Sequence, residues 1–317
     1  MTVSAREPAP LSPVAVSVAG LPFQNPIVLA AGTAGYGQEL ADVMNVDSLG
    51  GIVTKAVSPE PRAGAPAPRV AEFAGGMINA IGLANPGLDA VKRDHLPWLA
   101  ANLRHARVMV NVVGNSIDDF VTVVEGLDGS AGFDAFELNV SCPNTKKGGV
   151  EIGADPASLC EVVRRCKAAS THPVFVKLSP TLPDIAAAAR MAVDEGADAL
   201  TLVNTMPGLV VDVERRRPAL GFGTGGVSGS ALLPIGVLAT WKVRRAVSAP
   251  ILGIGGVSQA RDALQYMLAG ATLVGVGTAA LRDPRAPERI IAGIRRWCED
   301  EGVRDLREIV GTLEWAV

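Results

Sequence analysis

The sequence predicts an α/β protein of the (β/α)8 or TIM barrel type, and three observations lead to that prediction. Eight short apolar runs recur along the chain, helical patterns separate most of them, and small or polar residues follow each run. The length of 317 residues suits one such barrel, which needs about 250 residues, together with insertions. We therefore expect a flexible N-terminal tail at residues 1–13 and a single barrel domain over residues 14–317.

The eight runs have the composition of parallel strands that are buried on both faces. Each is rich in Val, Ile and Leu and lacks a strict alternation of apolar and polar residues. They cover residues 27–31, 52–56, 108–112, 136–140, 174–178, 200–203, 251–254 and 273–276. Eight strands with interleaved helices favour a closed barrel over an open doubly wound sheet.

Two of the intervening helices carry clear start signals. Asp155 followed by Pro156 is an N-cap with proline at the first helical position, which predicts a helix through residue 169. Asp184 introduces a second apolar segment that ends at Gly196.

Extended loops are predicted after strands 2, 4 and 6. Residues 57–88 and 206–230 are too long for simple crossovers, and residues 139–149 are rich in Pro and Gly. Loops longer than about 15 residues usually act as lids or binding loops in compact domains. All three follow the carboxyl ends of strands, where barrel enzymes hold their active sites. The simpler alternative for residues 57–88 is a β-hairpin that caps the barrel.

Composition excludes several functional classes. A formal net charge of −3 argues against a nucleic-acid-binding protein, which normally has a basic face. The cysteines form no CxxC pair and the three histidines are scattered, so no metal site is predicted. The chain has neither a run of about 18 apolar residues nor a signal-peptide pattern, which leads us to expect a cytoplasmic protein.

The residues at the predicted strand ends resemble a ligand site. They are Ala31, Gly32, Lys55, Asn111, Asn139, Lys177, Asn204, Thr205, Gly255, Gly256, Gly277 and Thr278. Lysines are rarely buried without a partner, so two lysines ending apolar strands indicate an anionic or electron-rich ligand, unless each only extends to solvent. The glycines after the last two strands lie where this fold usually binds phosphate, although glycine there can also simply form a tight turn.

Cys142 is the cysteine in a plausible reactive position, because it follows the fourth strand in a Pro- and Gly-rich segment. A thiol can act as a base or a nucleophile where its surroundings favour the thiolate. No histidine lies near a strand end to activate a nucleophile, so a general base is the better interpretation. Cys160, Cys166 and Cys298 lie in helical patterns and are expected to be small buried residues.

At this point the sequence resembles a known family, the class 1 dihydroorotate dehydrogenases. The segments NPIVLAAG, IVTKAV, NAIGLANPG, ELNVSCPN, VFVKLSP, LVNT, GTGGVSG, GIGG and VGVGTA follow the family's order and spacing over about residues 14–310. NAIGLANPG, NTMPGLVVDV and GTGGVSG look more like the NAD-linked class 1B than the fumarate-linked class 1A. Class 2 enzymes have serine in place of the cysteine and a membrane-associating extension. Ser230 departs from the proline that is common in the family.

The resemblance implies an FMN-dependent oxidation of (S)-dihydroorotate to orotate in de novo pyrimidine (UMP) biosynthesis. Cys142 would remove a proton from substrate C5 while hydride passes from C6 to the flavin, and Lys55 would contact both molecules. A class 1B catalytic chain is a homodimer that passes electrons to NAD through a partner subunit carrying FAD and an iron–sulfur cluster.

The resemblance also assigns binding residues. The FMN residues would be Ala31, Gly32, Lys55, Ala56, Asn111, Asn139, Lys177, Val203, Gly229, Gly255, Gly256, Gly277 and Thr278. The substrate residues would be Lys55, Asn79, Ala80, Ile81, Gly82, Leu83, Asn139, Asn204 and Thr205.

Several alternatives stay open on the sequence alone. One is a class 1A enzyme, and another is a flavin oxidoreductase similar to dihydropyrimidine dehydrogenase. A third is a phosphate-binding lyase or isomerase without flavin, and a fourth is a flavin-binding subunit without catalytic activity.

Overall fold

Eight parallel strands close into a barrel whose strands follow one another in the order of the chain. A computed structural model of the protein describes residues 12–141, 143–144 and 150–315. The strands are β1 (Ile27–Leu29), β2 (Gly51–Val53), β3 (Arg107–Val112), β4 (Ala135–Asn139), β5 (Val174–Leu178), β6 (Ala199–Leu202), β7 (Ile251–Ile254) and β8 (Leu273–Val276). The predicted fold class is therefore confirmed, with each of the eight strands at or within a few residues of its predicted position. The division into a tail and a single domain stays a prediction, because residues 1–11 lie outside the described part.

Helices surround the barrel and connect most successive strands. The α-helices are Leu88–Ala90, Leu96–Asn102, Ile117–Leu127, Pro156–Ala168, Ile185–Asp194, Leu233–Arg244, Ala260–Ala269, Thr278–Arg282 and Ala286–Glu301, with a π-helical turn at Val91–His95. The 3-10 turns are Gln38–Leu40, Val46–Ser48, Ile152–Ala154, Ser230–Leu232 and Leu306–Ile309. In the described segments, no helix combines the length and apolar character needed to cross a membrane.

The two predicted helix starts are present. The Asp155 carboxylate accepts a hydrogen bond from the backbone N–H of Ser158, and Pro156 occupies the first helical turn. Asp184 caps the next helix in the same way through the N–H of Ala187. These caps satisfy backbone donors that have no partner within their own helix.

The helical cysteines are mostly buried, as expected. Cys166 and Cys298 are buried, and burial raises the pKa of both thiols. The prediction was wrong for Cys160, which is only partly buried because its position on the helix lies between the barrel face and solvent.

A short hairpin lies at the amino-terminal end of the barrel. Val16–Val18 pairs with Leu21–Phe23, and the Pro22 carbonyl accepts a hydrogen bond from Arg107 Nε at 2.7 Å. Arg107 begins β3 and also forms a buried ion pair with Asp134 at 3.4 Å. This end of the barrel is therefore held by structural contacts.

The two long insertions combine into one antiparallel sheet. Val70–Phe73 and Gly76–Asn79 form a hairpin within the first insertion, so the hairpin of the simpler alternative is present. Gly225–Ser228 from the second insertion pairs with Gly76–Asn79, and Met206–Gly208 forms one edge strand of the sheet, opposite Val70–Phe73. The segments after β2 and β6 thereby hold each other at the carboxyl end of the barrel.

The buried Asn25 side chain provides a test of the amino-terminal contacts. Its Oδ1 accepts hydrogen bonds from the N–H groups of Ile27 and Gly50, and its Nδ2 donates to the Ser48 carbonyl. Asn25→Ala would leave these buried backbone groups unpaired, so we expect the free energy of unfolding in urea to fall by about 2–4 kcal/mol. The exposed control Asn102→Ala should cost less than about 0.5 kcal/mol. Equal losses in the two variants would contradict the role of Asn25.

Candidate functional site

Three polar residues lie side by side near the carboxyl ends of β4, β5 and β6. Lys177 pairs in register with Asn139 on one side and with Thr201 on the other. Neighbouring strands lie about 4.8 Å apart, so the three side chains form a continuous polar row.

The polar row faces the interior of the barrel. Gly253 of β7 pairs with Leu202 of β6, the residue next to Thr201. A Cβ added to Gly253 would lie 2.3 Å from Tyr266 in the helix Ala260–Ala269, so Leu202 and Gly253 lie on the outer face. Because successive residues of a strand point to opposite faces, Thr201 and the rest of the row point inward.

The row is buried, and several of its polar atoms have no protein partner among the described residues. Lys177 is only 6% exposed, and its ammonium makes no hydrogen bond or ion pair with any described residue. Asn139 Oδ1, Thr201 Oγ1 and the nearby Ser141 Oγ are buried polar atoms without a hydrogen-bond partner in the described structure. Such groups cost folding free energy unless a partner is supplied, so this part of the barrel is suited to a polar, anionic ligand.

Lys55 supplies a second cation to the same end of the barrel. It lies two residues after Val53, the last residue of β2, which pairs with Met109 of β3. Its backbone N–H donates to the Gly35 carbonyl at 2.7 Å, which fixes the start of the loop. Its ammonium, like that of Lys177, makes no ion pair or hydrogen bond within residues 12–141, 143–144 and 150–315.

Asn111 and Glu137 form a buried pair inside the barrel. Both are 1% exposed, and Asn111 Nδ2 donates a hydrogen bond to Glu137 Oε1 at 2.7 Å. Glu137 and Thr201 were not among the site residues predicted from the sequence. The available signal was a polar residue within an otherwise apolar strand, since FELNV carries a carboxylate between two large apolar residues.

The insertions bring three of the predicted substrate residues together. Asn79 Nδ2 donates to the Gly226 carbonyl at 3.2 Å, and a Cβ added to Gly226 would lie 2.1 Å from Thr205 Oγ1. Asn204 Oδ1 accepts a hydrogen bond from the Thr205 N–H at 2.9 Å. Only glycine fits at position 226, and its contacts bring Asn79 and Thr205 near each other although they are far apart in the sequence.

The four residues after Asn79 form a turn held against the same insertion. The N–H of Ala80 donates to the Arg69 carbonyl, and the carbonyl of Ile81 accepts from the N–H of Ala65. Gly82 and Leu83 both have positive φ, at 67° and 55°. The predicted substrate segment 79–83 therefore has a fixed backbone.

The glycines after β7 and β8 lie near the start of a helix. A Cβ added to Gly256 would lie 2.5 Å from the backbone nitrogen of Leu233, the first residue of helix Leu233–Arg244. No side chain caps that helix. A helix N-terminus that lies next to glycine residues is suited to bind phosphate, because its backbone N–H groups are accessible. Thr278 Oγ1 donates to Ser228 Oγ at 2.8 Å, which joins the end of β8 to the insertion sheet.

The other predicted cofactor residues also follow barrel strands. Ala31 and Gly32 follow β1, and a Cβ added to Gly32 would meet no described atom within 4 Å. The carbonyl of Ala56 accepts a hydrogen bond from the Tyr36 hydroxyl at 3.0 Å. The remaining positions are Val203 after β6, Gly229 after the insertion strand, Gly255 after β7 and Gly277 after β8.

Cys142 lies outside the described residues, so its thiol has no described geometry. The flanking chain is described in part: Pro143–Asn144 pairs antiparallel with Val150–Glu151. Burial raises the pKa of the Glu151 carboxyl, and a hydrogen bond to Ser179 after β5 partly opposes that rise. Among the described residues, no cluster of three His, Cys, Asp or Glu side chains could hold a metal ion.

Comparisons with known proteins point to one family. Residues 13–297 match the family described as dihydroorotate dehydrogenase. The protein named dihydroorotate dehydrogenase B (NAD(+)), catalytic subunit, from Geobacter sp. (strain M21) is 45% identical over 301 residues, which cover 95% of this chain and 98% of that relative. The protein of the same name from Desulforudis audaxviator (strain MP104C) is 46% identical over 297 residues, covering 94% and 96% of the two chains.

The raised pKa of Glu151 predicts a pH dependence of stability. A raised folded-state pKa means that the folded chain binds this proton more tightly than the unfolded chain does. The resulting stabilisation is present below the ordinary glutamate pKa and is lost as pH rises through the raised value. As the pH rises from the ordinary glutamate pKa through the raised pKa, we expect the free energy of unfolding of wild type to fall relative to that of Glu151→Gln. Urea denaturation at a series of pH values measures this difference. Parallel pH profiles for the two proteins would contradict the expected burial of this carboxyl.

Proposed function

The chain belongs to the dihydroorotate dehydrogenase family, and from that premise we propose that it oxidises dihydroorotate to orotate in pyrimidine biosynthesis, with FMN as its cofactor. One observation carries the proposal: two ammonium groups, of Lys55 and Lys177, and several buried polar atoms at one end of the barrel have no partner among the described residues. A flat, anionic, hydrogen-bonding ligand would satisfy them.

The described residues fit FMN at both ends of the molecule. Gly255, Gly256, Gly277 and Thr278 would hold the phosphate, supported by the uncapped start of helix Leu233–Arg244. At the other end, the unpaired oxygen atoms of the polar row can accept or donate hydrogen bonds to the ring. The Lys177 ammonium would stabilise negative charge on the ring's pyrimidine edge. The positions of Ala31, Gly32, Ala56, Asn111, Val203 and Gly229 at strand ends support the same assignment.

Substrate binding is assigned to residues that offer both donors and acceptors. The amides of Asn79, Asn139 and Asn204 and the hydroxyl of Thr205 suit a pyrimidine with alternating N–H and C=O groups. The shared contact at Gly226 supports a common role for Asn79 and Thr205. Ala80, Ile81, Gly82 and Leu83 would line the site through their fixed backbone, and Lys55 would face the substrate carboxylate or carbonyl oxygens.

The oxidation needs a base for the proton on C5. We assign that role to Cys142, whose thiolate would take the C5 proton while the bond between C5 and C6 becomes double. When bound, FMN supplies the acceptor for the hydride that leaves C6. A loop that carries the base can exclude water during the reaction and open for product release.

The names of the relatives support an electron-transfer partner. They contain the terms NAD(+) and catalytic subunit, and class 1B enzymes use a second subunit with FAD and an iron–sulfur cluster. We propose that this chain forms a homodimer that associates with such a subunit in the cytoplasm. Efficient NAD⁺ reduction by the isolated chain would contradict this division of labour.

Anaerobic reduction of the bound flavin tests the assigned chemistry. Dihydroorotate should rapidly bleach the visible flavin absorbance of wild type, whereas Cys142→Ala should be slowed by about 10²–10⁴-fold because the base is lost. Cys142→Ser is the matched control and should retain more activity than the alanine variant, since a hydroxyl can still accept a proton.

Three outcomes would contradict parts of the proposal. Equal bleaching rates in wild type and Cys142→Ala would remove Cys142 from the role of base. Faster reduction by dihydrouracil would favour an enzyme similar to dihydropyrimidine dehydrogenase. A chain that does not bind FMN would favour a barrel enzyme without flavin, and one that binds FMN without bleaching would favour a non-catalytic subunit.

A further inference from the structure

Glu137 is a buried carboxylate that the proposed chemistry leaves without a role. It lies within β4, is 1% exposed, and accepts a hydrogen bond from Asn111 Nδ2 at 2.7 Å. Removing a carboxylate from water is costly, and a neutral residue of similar size would fill the same space at lower cost. A retained carboxylate at this position therefore calls for a specific function.

The hydrogen bond determines which way the Asn111 amide faces. Because Asn111 Nδ2 donates to Glu137 Oε1, the amide nitrogen faces Glu137 and Oδ1 faces away from it. Asn111 Oδ1 accepts no hydrogen bond from any residue that the structure describes. The Asn111 backbone is also fixed, because its N–H lies 3.3 Å from Thr54 Oγ1 and its carbonyl accepts from Val57.

We propose that Glu137 is a positioning residue that fixes the Asn111 side chain so that its carbonyl oxygen accepts a hydrogen bond from the flavin ring. The inference rests on the proposed function, because it requires FMN in the barrel mouth. An oxidised flavin ring has a single N–H donor on its pyrimidine part, so an acceptor held in one orientation matches it. A freely rotating amide would present its N–H₂ group in half of its orientations and would repel that donor.

Two other roles for Glu137 make different predictions. A purely structural role, in which Glu137 joins β3 to β4, would change stability without changing FMN affinity. A direct electrostatic role would depend on the charge of Glu137 and would not require Asn111. The positioning role depends on Asn111 and on an acceptor at position 137.

The test is a double-mutant cycle on the FMN dissociation constant of the apoprotein, measured by quenching of flavin fluorescence. Glu137→Met keeps the side-chain length but removes the acceptor, and it should weaken FMN binding about tenfold, the size of one hydrogen bond. In an Asn111→Ala background the same change should alter affinity by less than about twofold. Glu137→Gln retains an acceptor and should stay within about threefold of wild type.

Asp134→Asn is the matched control. It also alters a carboxylate within the protein, a partly buried one that accepts from the Val108 N–H at 2.7 Å at the opposite end of the barrel. This variant should lower the unfolding temperature while leaving the FMN dissociation constant unchanged.

Each remaining outcome decides the inference. Two results would overturn this inference without affecting the proposed function. One is an equal loss of FMN affinity from Glu137→Met in both backgrounds, and the other is a Glu137→Gln variant that binds FMN as weakly as Glu137→Met. Failure of wild type to bind FMN would overturn the proposed function and this inference together. If Glu137→Met does not fold without FMN, dissociation rates from the holoproteins should show the same ratios. A variant that folds in neither form would assign Glu137 a structural role and overturn the proposal.

Discussion

The Lys177 side chain, which is 6% exposed and whose ammonium has no partner among the described residues, is the constraint on which the rest of the site depends. It lies inside the barrel between Asn139 and Thr201. Within the described segments, Asn139 Oδ1 and Thr201 Oγ1 also have no hydrogen-bond partner. Buried polar atoms without partners, such as Asn139 Oδ1 and Thr201 Oγ1, weaken folding, so the barrel gives up stability at this position. Such a loss is typical of a binding site, where the ligand supplies the missing interactions.

The parallel barrel explains how so few local features produce a complete site. Every strand delivers its carboxyl end to the same mouth, so Lys55 and Lys177 reach the same end of the barrel although 122 positions in the numbering separate them. The insertion sheet follows the carboxyl ends of β2 and β6, and Gly226 contacts both Asn79 and Thr205. The opposite end carries the paired contacts of Arg107 and has no comparable set of unpaired atoms among the described residues.

Much of this arrangement could be predicted from the sequence because the signals are local. Apolar runs that end in lysine or glycine identify both the strands and the mouth, and the Asp155 cap marks its helix directly. Glu137 and Thr201 were missed because strands buried on both faces lack the alternation that shows which residues point inward. The pairing of the two insertions depends on contacts between distant segments, which local patterns do not encode.

The most direct measurement compares wild type with Lys177→Met, which replaces the unpaired ammonium by an apolar side chain of similar length. Urea unfolding of the two apoproteins measures how much the Lys177 charge costs in folding free energy. The same experiment with saturating FMN measures how much the charge contributes to stabilisation by FMN. The account predicts that the variant apoprotein is more stable than wild type but gains far less stability from FMN. A variant apoprotein that is less stable than wild type, with an unchanged stabilisation by FMN, would contradict it.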